Sequence, residues 1–490
     1  MNAVKVALPK GRLMAETSAL LERAGWGVSD YSEGTRSYRL KSQKFPDLQA
    51  KIFNEKDIPI QVAVGNYDLG ICGLDWVEEL AAKYPSSALV KLRELGYGEG
   101  AVYAVAARNG EAPAIEAIQS LDRTVRLVSE YPNLAEAFAL KLRLKRFSVF
   151  PLWGAAEVYP PESADLALMP AKVADAPFNH GLAAISTVMR FNACLVANRQ
   201  RWQDKDMSEV LESLERAIVE KQEAAPPSSQ PSPLEGEGAG GRASTISSQT
   251  QSTKTGHAAK DPSTLRLALA DGHQQAPTAA LLAKAGIKIQ DYPSSTGNRR
   301  PTPEAIPGLD VKVIRPQDMP MQVAAGNFDL AITGRDWLRD HLYQFPSSPV
   351  RELVDLKFAR VRIVAVVCND VPVSDGFELR ELWVSRPEPI RIAAEYVNIA
   401  DKYARDNHLG RYRVIPTWGA TEAFLPEDAD LLIENTETGR TIARHNLKII
   451  DTLFESTGLL IGNPLSIEDN PAKRETAKLI ADTLRRAVEG

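Results

Sequence analysis

Hydrophobic and polar positions in the N-terminal part of the chain follow two alternating periods. Short apolar runs that predict strands alternate with segments whose apolar residues recur at helical spacing. The predicted strands are 4–9, 48–53, 68–73, 101–107, 125–130 and 165–170, and the predicted helices are 13–25, 57–65, 75–84 and 132–144. This alternation predicts an α/β fold built from βαβ units around a mainly parallel sheet. Because ligands of such sheets bind beyond the carboxyl ends of the strands, the loops that follow strands are the candidate sites.

The chain contains the same pattern twice. Residues 59–77 (PIQVAVGNYDLGICGLDWV) match residues 320–338 (PMQVAAGNFDLAITGRDWL) at 12 of 19 positions, with a shift of 261 residues. The match continues from WGAAE at 153–157 to WGATE at 418–422, with a shift of 265 residues. Repeats of this length are domains rather than the stacking units of a solenoid. We therefore predict a tandem duplication.

A segment between the copies, at 222–264, is rich in Pro, Gly, Ser, Thr and Gln and has almost no bulky apolar residue. Such a composition buries too little surface to offset the entropy of ordering the chain. We predict a flexible, disordered linker here, with a first copy at 1–221 and a second copy at 265–490. Its typical span, on the order of 35 Å, lets the two halves pack against each other.

Composition narrows the class of protein. The 490 residues carry 58 Lys and Arg against 63 Asp and Glu, a formal charge of −5 that argues against a nucleic-acid-coating protein. The sequence shows neither an apolar run long enough to span a bilayer nor the apolar stretch of a secretory signal. Its three cysteines, Cys72, Cys194 and Cys368, are too widely spaced to indicate a disulfide framework or a metal knuckle. We expect a cytoplasmic protein that binds neither nucleic acid nor membranes.

The loop after the apolar run ADLLI in the second copy is the strongest candidate site. It contains Glu434, Asn435, Thr436, Glu437, Thr438, Gly439, Arg440 and Thr441, and a helix follows. A strand, a short turn with Gly and a helix start together aim backbone N–H groups and a helix dipole at a phosphate. Carboxylates such as Glu434 and Glu437 accept hydrogen bonds from ribose hydroxyls. The combination suggests a ribose phosphate, and the alternative is an ordinary capped turn.

A basic turn follows the first strand of the first copy. Lys10 and Arg12 flank Gly11, which allows the backbone to approach a ligand closely. Two cations at the start of a helix suit a polyphosphate. The alternative is a solvated basic turn.

Two further loops of the second copy contain candidate residues. Arg315 and Pro316 follow the strand VKVI, where an Arg can grip a phosphate or stack on a base. The alternative for Arg315 is a surface ion pair with Asp318. Gly334 and Asp336 follow the strand DLAIT, and a tight turn with a helix cap explains them as well as a ligand does.

Taken in order, the motifs of both copies resemble ATP phosphoribosyltransferase, the enzyme family that opens histidine biosynthesis. The motifs are ALPKGRL, the DIP segment, DLGICGLDW or DLAITGRDW, GYGEG, YPNLAEAF and ADLLIENTETGRTIARHNL. The resemblance covers nearly all of both copies and omits only the linker. It implies that each copy is the catalytic core of the short form of that family, with a two-lobed fold like that of the type II periplasmic binding proteins.

The resemblance implies a glycosyl transfer in which N1 of ATP attacks C1 of phosphoribosyl diphosphate and expels diphosphate. Catalysis would come from positioning and charge neutralisation, with Mg²⁺ carried on the diphosphate rather than held by protein ligands. The implied catalytic residues are Glu434, Arg440, Arg315 and Lys10. The implied phosphoribosyl diphosphate site is 434–441, and the implied ATP contacts are Lys10, Gly11, Arg12, Arg36, Arg315, Pro316, Gly334, Asp336 and Tyr396.

The two copies depart from the family pattern at complementary positions. The first copy has Met169 in place of Glu434, and Ala-Asp-Ala at 174–176 in place of Gly-Arg-Thr. The second copy keeps that loop but has Asp271 in place of Lys10. If the family's site lies at a dimer interface, these losses leave one complete composite site. We therefore expect an intramolecular pseudo-dimer in which the first copy donates cations to the second.

Two other function classes remain open at this stage. A non-catalytic paralogue that senses nucleotides or histidine would also keep the two-lobed fold, although the intact loop of the second copy argues against it. A solute receptor of the periplasmic type shares the fold by analogy alone. The sequence does not decide whether the chain forms further homo-oligomers, requires a separate regulatory subunit or is inhibited by histidine.

Overall fold

The computed structural model describes residues 3–35, 38–108, 114–172, 181–224, 263–304 and 306–489. Within these ranges, strands and helices alternate in the same order in both copies. The predicted linker lies almost wholly outside the described residues, and its first residues belong to a helix that ends at Ala224. No helix in the described ranges is long and apolar enough to cross a membrane.

The first copy consists of two β-sheets and the helices that flank them. Its strands are β1 (Lys5–Lys10), β2 (Arg39–Lys41), β3 (Gln49–Asn54), β4 (Leu69–Gly73), β5 (Leu89–Glu94), β6 (Gly100–Ala107), β7 (Val125–Ser129), β8 (Phe147–Pro151), β9 (Leu166–Ala171), β10 (Leu182–Phe191) and β11 (Ala193–Asn198). Its helices are α1 (Met14–Arg23), α2 (Asp57–Ala63), α3 (Leu74–Lys83), α4 (Ile115–Gln119), α5 (Pro132–Lys141), α6 (Arg199–Asp204) and α7 (Ser208–Ala224).

The second copy follows nearly the same order, with one more short strand near its start among the described residues, and a short helix follows its candidate loop. Its strands are β12 (Leu265–Ala270), β13 (Ile289–Gln290), β14 (Thr302–Pro303), β15 (Leu309–Ile314), β16 (Leu330–Gly334), β17 (Arg351–Asp355), β18 (Val361–Cys368), β19 (Ile390–Ala394), β20 (Tyr412–Pro416), β21 (Leu431–Thr436), β22 (Leu447–Ser456) and β23 (Gly458–Gly462). Its helices are α8 (Gln275–Lys284), α9 (Met319–Ala324), α10 (Arg335–Gln344), α11 (Gly376–Val384), α12 (Val397–Asp406), α13 (Arg440–Arg444), α14 (Pro464–Glu468) and α15 (Pro471–Glu489).

Each copy has two lobes, one around each sheet. In the first copy, the first lobe has the strand order β2-β3-β1-β4-β11-β5 and the second lobe has the order β10-β6-β9-β7-β8. The corresponding orders in the second copy are β15-β12-β16-β23-β17 and β20-β19-β21-β18-β22. The chain leaves the first lobe after its fourth or fifth strand and returns to it with β11 or β23. The expected pair of two-lobed α/β copies is confirmed.

The sheets are mixed rather than mainly parallel, which corrects the sequence-based expectation. β1 pairs in parallel with β3 and β4, but β11 runs antiparallel to both β4 and β5. In the second lobe, β7 pairs in parallel with β8 and β9, whereas β6 is antiparallel to β9 and β10. Hydrophobic periodicity locates a strand but does not give its direction, and crossing between lobes reverses the returning strand.

The two copies pack head to tail, so that the first lobe of each copy contacts the second lobe of the other. One continuous core cluster joins Phe53 and Tyr67 to Phe424, and the Phe53 and Phe424 rings lie 5.4 Å apart. A second cluster joins Tyr159 to Phe328 at a ring distance of 6.4 Å. Because Phe328 is the repeat equivalent of Tyr67 and Phe424 that of Tyr159, the interface has an approximate twofold symmetry.

Buried ion pairs repeat the same symmetry. Lys312 is 2% exposed and donates to Glu162 of the other copy at 2.7 Å, and Arg300 pairs with the same carboxylate at 2.9 Å. In the equivalent place, Lys51 pairs with Asp428 and Glu427. Charges taken out of water on both sides of an interface require their partners, so these pairs fix how the copies align. The expected intramolecular pseudo-dimer is present in the fold.

Candidate active site in the cleft of the second copy

The candidate loop of the second copy has the strand, turn and helix that its sequence predicts. β21 ends at Thr436, and α13 begins at Arg440. Gly439 connects them with a φ of +75°, a conformation that favours glycine, and its N–H donates to Thr436 Oγ1 at 2.9 Å. The first N–H groups of α13 have no acceptor within the helix, and the side chains of Thr438, Arg440 and Thr441 are exposed. The loop can therefore present donors to an anion.

The loop lines a cleft between the two lobes of the second copy. The cleft has a volume of about 590 Å³. Predicted residues from both lobes meet there, and the structure brings together Arg315, Pro316, Asp336, Tyr396, Asn435 and Glu437. Gly334 lies directly beside it, since a Cβ at this position would stand 2.0 Å from Asp336 Oδ1. The turn thus requires glycine for a packing reason, whether or not it also contacts a ligand.

A series of hydrogen bonds crosses the cleft. The hydroxyl of Tyr396, in the second lobe, donates to Asp336 Oδ2, in the first lobe, at 2.8 Å. Asn435 Nδ2 in turn donates to the Tyr396 hydroxyl at 3.1 Å. Asp336 also accepts from the N–H of Trp337 at 3.0 Å. These hydrogen bonds connect the end of β21 to the start of α10.

A group of carboxylates adjoins the cleft, which Glu395 lines. Burial and the neighbouring Glu395 together raise the pKa of Glu434 to about 8. Burial also raises the pKa of Glu395 to about 7, with Glu422 and Asp336 contributing. No cation pairs with Glu395 or Glu434 among the residues that the structure describes. Strongly raised carboxyl pKa values beside a cleft are typical of a functional site.

Sequence reasoning missed Glu395 and Glu422. Glu422 lies in the repeated WGAAE/WGATE motif, which served only to establish the duplication, and Glu395 directly precedes Tyr396. Glu422 follows β20 and Glu395 follows β19. Both therefore lie in loops after strands, which is where ligands of such sheets bind.

Lys10 of the first copy lies at the boundary with this carboxylate cluster. Its Nζ is 5.8 Å from the ring centroid of Tyr38, whose pKa is raised by burial and by Glu422 of the second copy. Asn54, also from the first copy, donates to the backbone oxygen of Trp418. Gly11 next to Lys10 has a φ of +85° and forms the turn that ends β1. The contacts agree with a cation supplied from the first copy, although they do not show one meeting a ligand.

The structure does not bring Arg12 to the candidate loop. Its guanidinium lies in the first copy's own cleft, where it pairs with Glu55 at 2.6 Å and with Asp75 at 2.7 Å. It also stacks 4.7 Å from the ring centroid of Phe191. The second copy has Pro316 at the position equivalent to Glu55, so it lacks this network. In this structure Arg12 fills the first copy's cleft rather than lining the second copy's cleft.

The remaining predicted residues lie as follows. Arg315 does not pair with Asp318; instead its Nη1 lies 3.3 Å from Asp271, the residue that replaces the lysine of the basic turn. Asp318 is buried and accepts from the N–H of Trp153 in the first copy at 2.9 Å. Arg36 and the divergent 174–176 segment of the first copy lie outside the described residues.

The ATP phosphoribosyltransferase family model (HisG) matches this chain twice, at residues 54–218 and 315–486. The chain belongs to the ATP phosphoribosyltransferase family. One matched region lies within each copy, so the predicted family and the predicted tandem duplication are both confirmed. The family assignment makes the chain a transferase.

Curated relatives of the ATP phosphoribosyltransferase family align with about half of the chain. The ATP phosphoribosyltransferase of Chlorobaculum parvum is 34% identical over 233 residues, which cover 46% of this chain and 71% of the relative. That of Prosthecochloris aestuarii is 35% identical over 230 residues, with the same coverage of 46% and 71%. Among solved structures, the ATP phosphoribosyl transferase (HisG:HisZ) complex from Thermotoga maritima aligns at 23% identity and a TM-score of 0.37, covering 46% of this chain and 98% of that one.

Proposed function

We propose that the chain transfers the phosphoribosyl group of phosphoribosyl diphosphate to N1 of ATP at one composite site in the cleft of the second copy. The products are phosphoribosyl-ATP and diphosphate, so the enzyme is a pentosyltransferase acting at the first step of histidine biosynthesis. One observation carries the proposal: Asn435 and Glu437 of the ribose-phosphate loop line the same cleft as Arg315. We infer a cytoplasmic location from this biosynthetic role.

The loop 434–441 is proposed to hold the phosphoribosyl group. The N–H groups at the start of α13 and the hydroxyls of Thr438 and Thr441 would donate to the 5′-phosphate. The guanidinium of Arg440 would supply the charge that a phosphate dianion requires. Glu437, which lines the cleft, would accept hydrogen bonds from the ribose hydroxyls.

Glu434 is proposed to stabilise positive charge at C1 as the bond to diphosphate breaks. No side chain needs to form a covalent intermediate in such a displacement. A carboxylate held without a cation partner interacts more strongly with a developing oxocarbenium ion than with the neutral ground state. Glu395, which raises the pKa of Glu434, adds to the same negative potential.

The cationic side chains are proposed to bind the two polyphosphates. Arg315 lines the cleft directly, and Lys10 would reach it from the first copy. Mg²⁺ bound to the diphosphate would neutralise charge on the leaving group. We place the ion on the phosphate oxygens of the substrate, since Mg²⁺ is commonly bound through substrate phosphates. Pro316, Asp336 and Tyr396 would form the wall that receives ATP.

The direct test mixes the purified chain with ATP, phosphoribosyl diphosphate and Mg²⁺ and follows the absorbance change of phosphoribosyl-ATP formation. Arg440→Ala should abolish turnover while leaving the circular dichroism spectrum and the melting temperature unchanged. Arg444→Ala, at the other end of the exposed helix α13, is the matched control and should retain activity. Full activity in Arg440→Ala would refute the assignment of the loop, and no product from the unmodified chain would refute the proposed function.

A further inference from the structure

A second cavity, separate from the ribose-phosphate loop, lies between the two copies. Its volume is about 470 Å³, and each copy contributes equivalent residues to its wall. Lys56, Trp76 and Glu130 of the first copy line it. Their repeat equivalents in the second copy are Gln317, Trp337 and Glu395, which line it as well. The cavity therefore contains one pair of related corners, and among these three positions the corners differ only where Gln317 replaces Lys56.

The corner from the first copy holds the side-chain ammonium group of Lys56. The ammonium group of Lys56 lies 4.8 Å from the ring centroid of Trp76. The same ammonium group pairs with the carboxylate of Glu130. An ammonium group between a tryptophan face and a carboxylate combines a cation–π contact with an ion pair.

The corner from the second copy has the same tryptophan and carboxylate but no lysine. Gln317 stands in the position of Lys56, and Glu395 has no cation partner among the described residues. Aromatic faces surround this corner, since the Trp153 ring lies 5.7 Å from Trp337 and 6.1 Å from Trp418. A carboxylate within an aromatic enclosure is the arrangement that recognises organic cations elsewhere in proteins.

We propose that the corner formed by Trp337 and Glu395 binds a small alkylammonium ligand, in the way that the Trp76 and Glu130 corner holds the side chain of Lys56. The ligand's ammonium group would pair with Glu395, and its alkyl stem would lie against the tryptophan rings. An anion would be repelled by Glu395 and by Asp57 of the first copy, a buried carboxyl that interacts electrostatically with Glu395. The other ammonium group that lines the described wall, Lys83, lies over the ring of Tyr84 at 5.4 Å.

The position of this corner connects it to the catalytic cleft. Gln317, Trp337 and Glu395 line both the central cavity and the cleft of the second copy. An occupant would therefore contact the reverse side of a wall that substrates contact. The proposed site nevertheless does not depend on the proposed reaction, because it is inferred from the equivalence of the two corners and requires neither ATP nor phosphoribosyl diphosphate.

The test titrates the full chain with butylammonium, which reproduces the lysine side chain, and follows tryptophan fluorescence and binding stoichiometry by calorimetry. We expect one binding event per chain and none with butyrate, the anion of matched length. Gln317→Lys places an internal ammonium group at the corner and should abolish the event. Lys56→Gln removes the internal cation from the first corner and should raise the stoichiometry from one to two. Glu395→Gln should weaken the original event about tenfold or more, the loss expected for a charged hydrogen bond.

Three outcomes would overturn the proposal. These are no saturable binding of butylammonium, equal binding of butyrate, or unchanged binding in Gln317→Lys. Near-UV circular dichroism shows whether Gln317→Lys has folded. If it has not, Lys56→Gln decides, because a stoichiometry that stays at one contradicts the equivalence of the two corners. Transferase activity is not a readout, so a failure of this proposal is distinguishable from a failure of the proposed function.

Discussion

Tyr396 donates a 2.8 Å hydrogen bond to Asp336 and thereby joins the two lobes of the second copy across its cleft. The first copy has the same bond between Tyr131 and Asp75, at 2.7 Å. In the first copy, however, Asp75 also binds the guanidinium of Arg12. In the second copy the two partners line the cleft without such a cation, whereas in the first copy the bond belongs to an ion cluster.

Tyr396→Phe should raise the KM for ATP, because the lobes lose a bond that holds them at the separation the nucleotide would require. A hydrogen bond from a hydroxyl to a carboxylate contributes about 1.5–3 kcal/mol, so the expected rise is about 10- to 100-fold. Steady-state kinetics with each substrate varied in turn measure it. Tyr131→Phe, the equivalent change in the first copy, should leave the KM unaltered, and an equal rise in both variants would contradict an active site confined to the second copy.

The rate should depend on pH through Glu434. Its pKa is raised to about 8, so the carboxyl is largely protonated at neutral pH and becomes an anion above it. If the anion stabilises charge at C1, kcat/KM rises with pH up to about 8 and then levels. Glu395 and Glu422 lie near Glu434, and their charges help to raise its pKa. Glu434→Gln should give a low rate with a flatter profile, and an unchanged slope would exclude Glu434 as the titrating group.

Glu434→Gln should also alter stability in a defined direction. The folded pKa of about 8 lies above the ordinary value of 4.5, so the folded state binds the proton more tightly than the unfolded state. That contribution is complete below pH 4.5 and is lost as pH rises through 8. The variant should therefore melt at a higher temperature than the unmodified chain at pH 9, and the difference should vanish at pH 4. A destabilised variant at pH 9 would show that the carboxylate has a cation partner.

Lys10→Ala should lower kcat/KM while leaving the fold intact, because Lys10 lies at the boundary with the second copy's carboxylates and is exposed. Loss of one charged contact to a polyphosphate corresponds to about 1.5–3 kcal/mol, or a factor of about 10 to 100. Lys41→Ala removes an exposed lysine of the same sheet and is the control. Equal activity in the two variants would argue that the first copy donates no cation to the site.

Arg12→Ala should act on stability rather than directly on substrate binding. The side chains of Asp75 and Glu55 are 0% and 9% exposed, and removing the guanidinium leaves both carboxylates without their cation. Because Arg12 is itself partly exposed, we expect a loss near the lower end of about 3–5 kcal/mol. Urea denaturation measures it, with Arg23→Ala at the exposed end of α1 as the control. A stable Arg12→Ala variant that has lost ATP binding would restore the sequence-based assignment.

The order of elements, the duplication and the loop at 434–441 could all be predicted from the sequence, since each rests on local pattern. β21, Gly439 and α13 are adjacent in the chain, and their geometry follows from short-range rules. The sheet direction could not be predicted, because β11 pairs with β4 across more than a hundred intervening residues. Strand periodicity contains no information about that partner.

The predicted roles of the cations differ in how well the structure supports them. Lys10 and Arg12 are two residues apart, and both suit a polyphosphate by residue type. Only the fold shows that Glu55, from the end of another strand, captures Arg12. A buried carboxylate that binds a cation competes with a ligand for it, and whether such a carboxylate is present depends on tertiary contacts.

The covalent joining of the two copies has a genetic consequence. In a symmetric homodimer both protomers come from one gene, so any substitution changes both composite sites together. Here Lys10 and Asp271 occupy equivalent positions yet carry opposite charges. Likewise, Lys56 is charged, whereas its equivalent Gln317 is neutral. Each half can therefore acquire its own substitutions while the head-to-tail contacts keep the partner in place. A substitution that a composite site could not accept in both halves at once can therefore be accepted in one half alone.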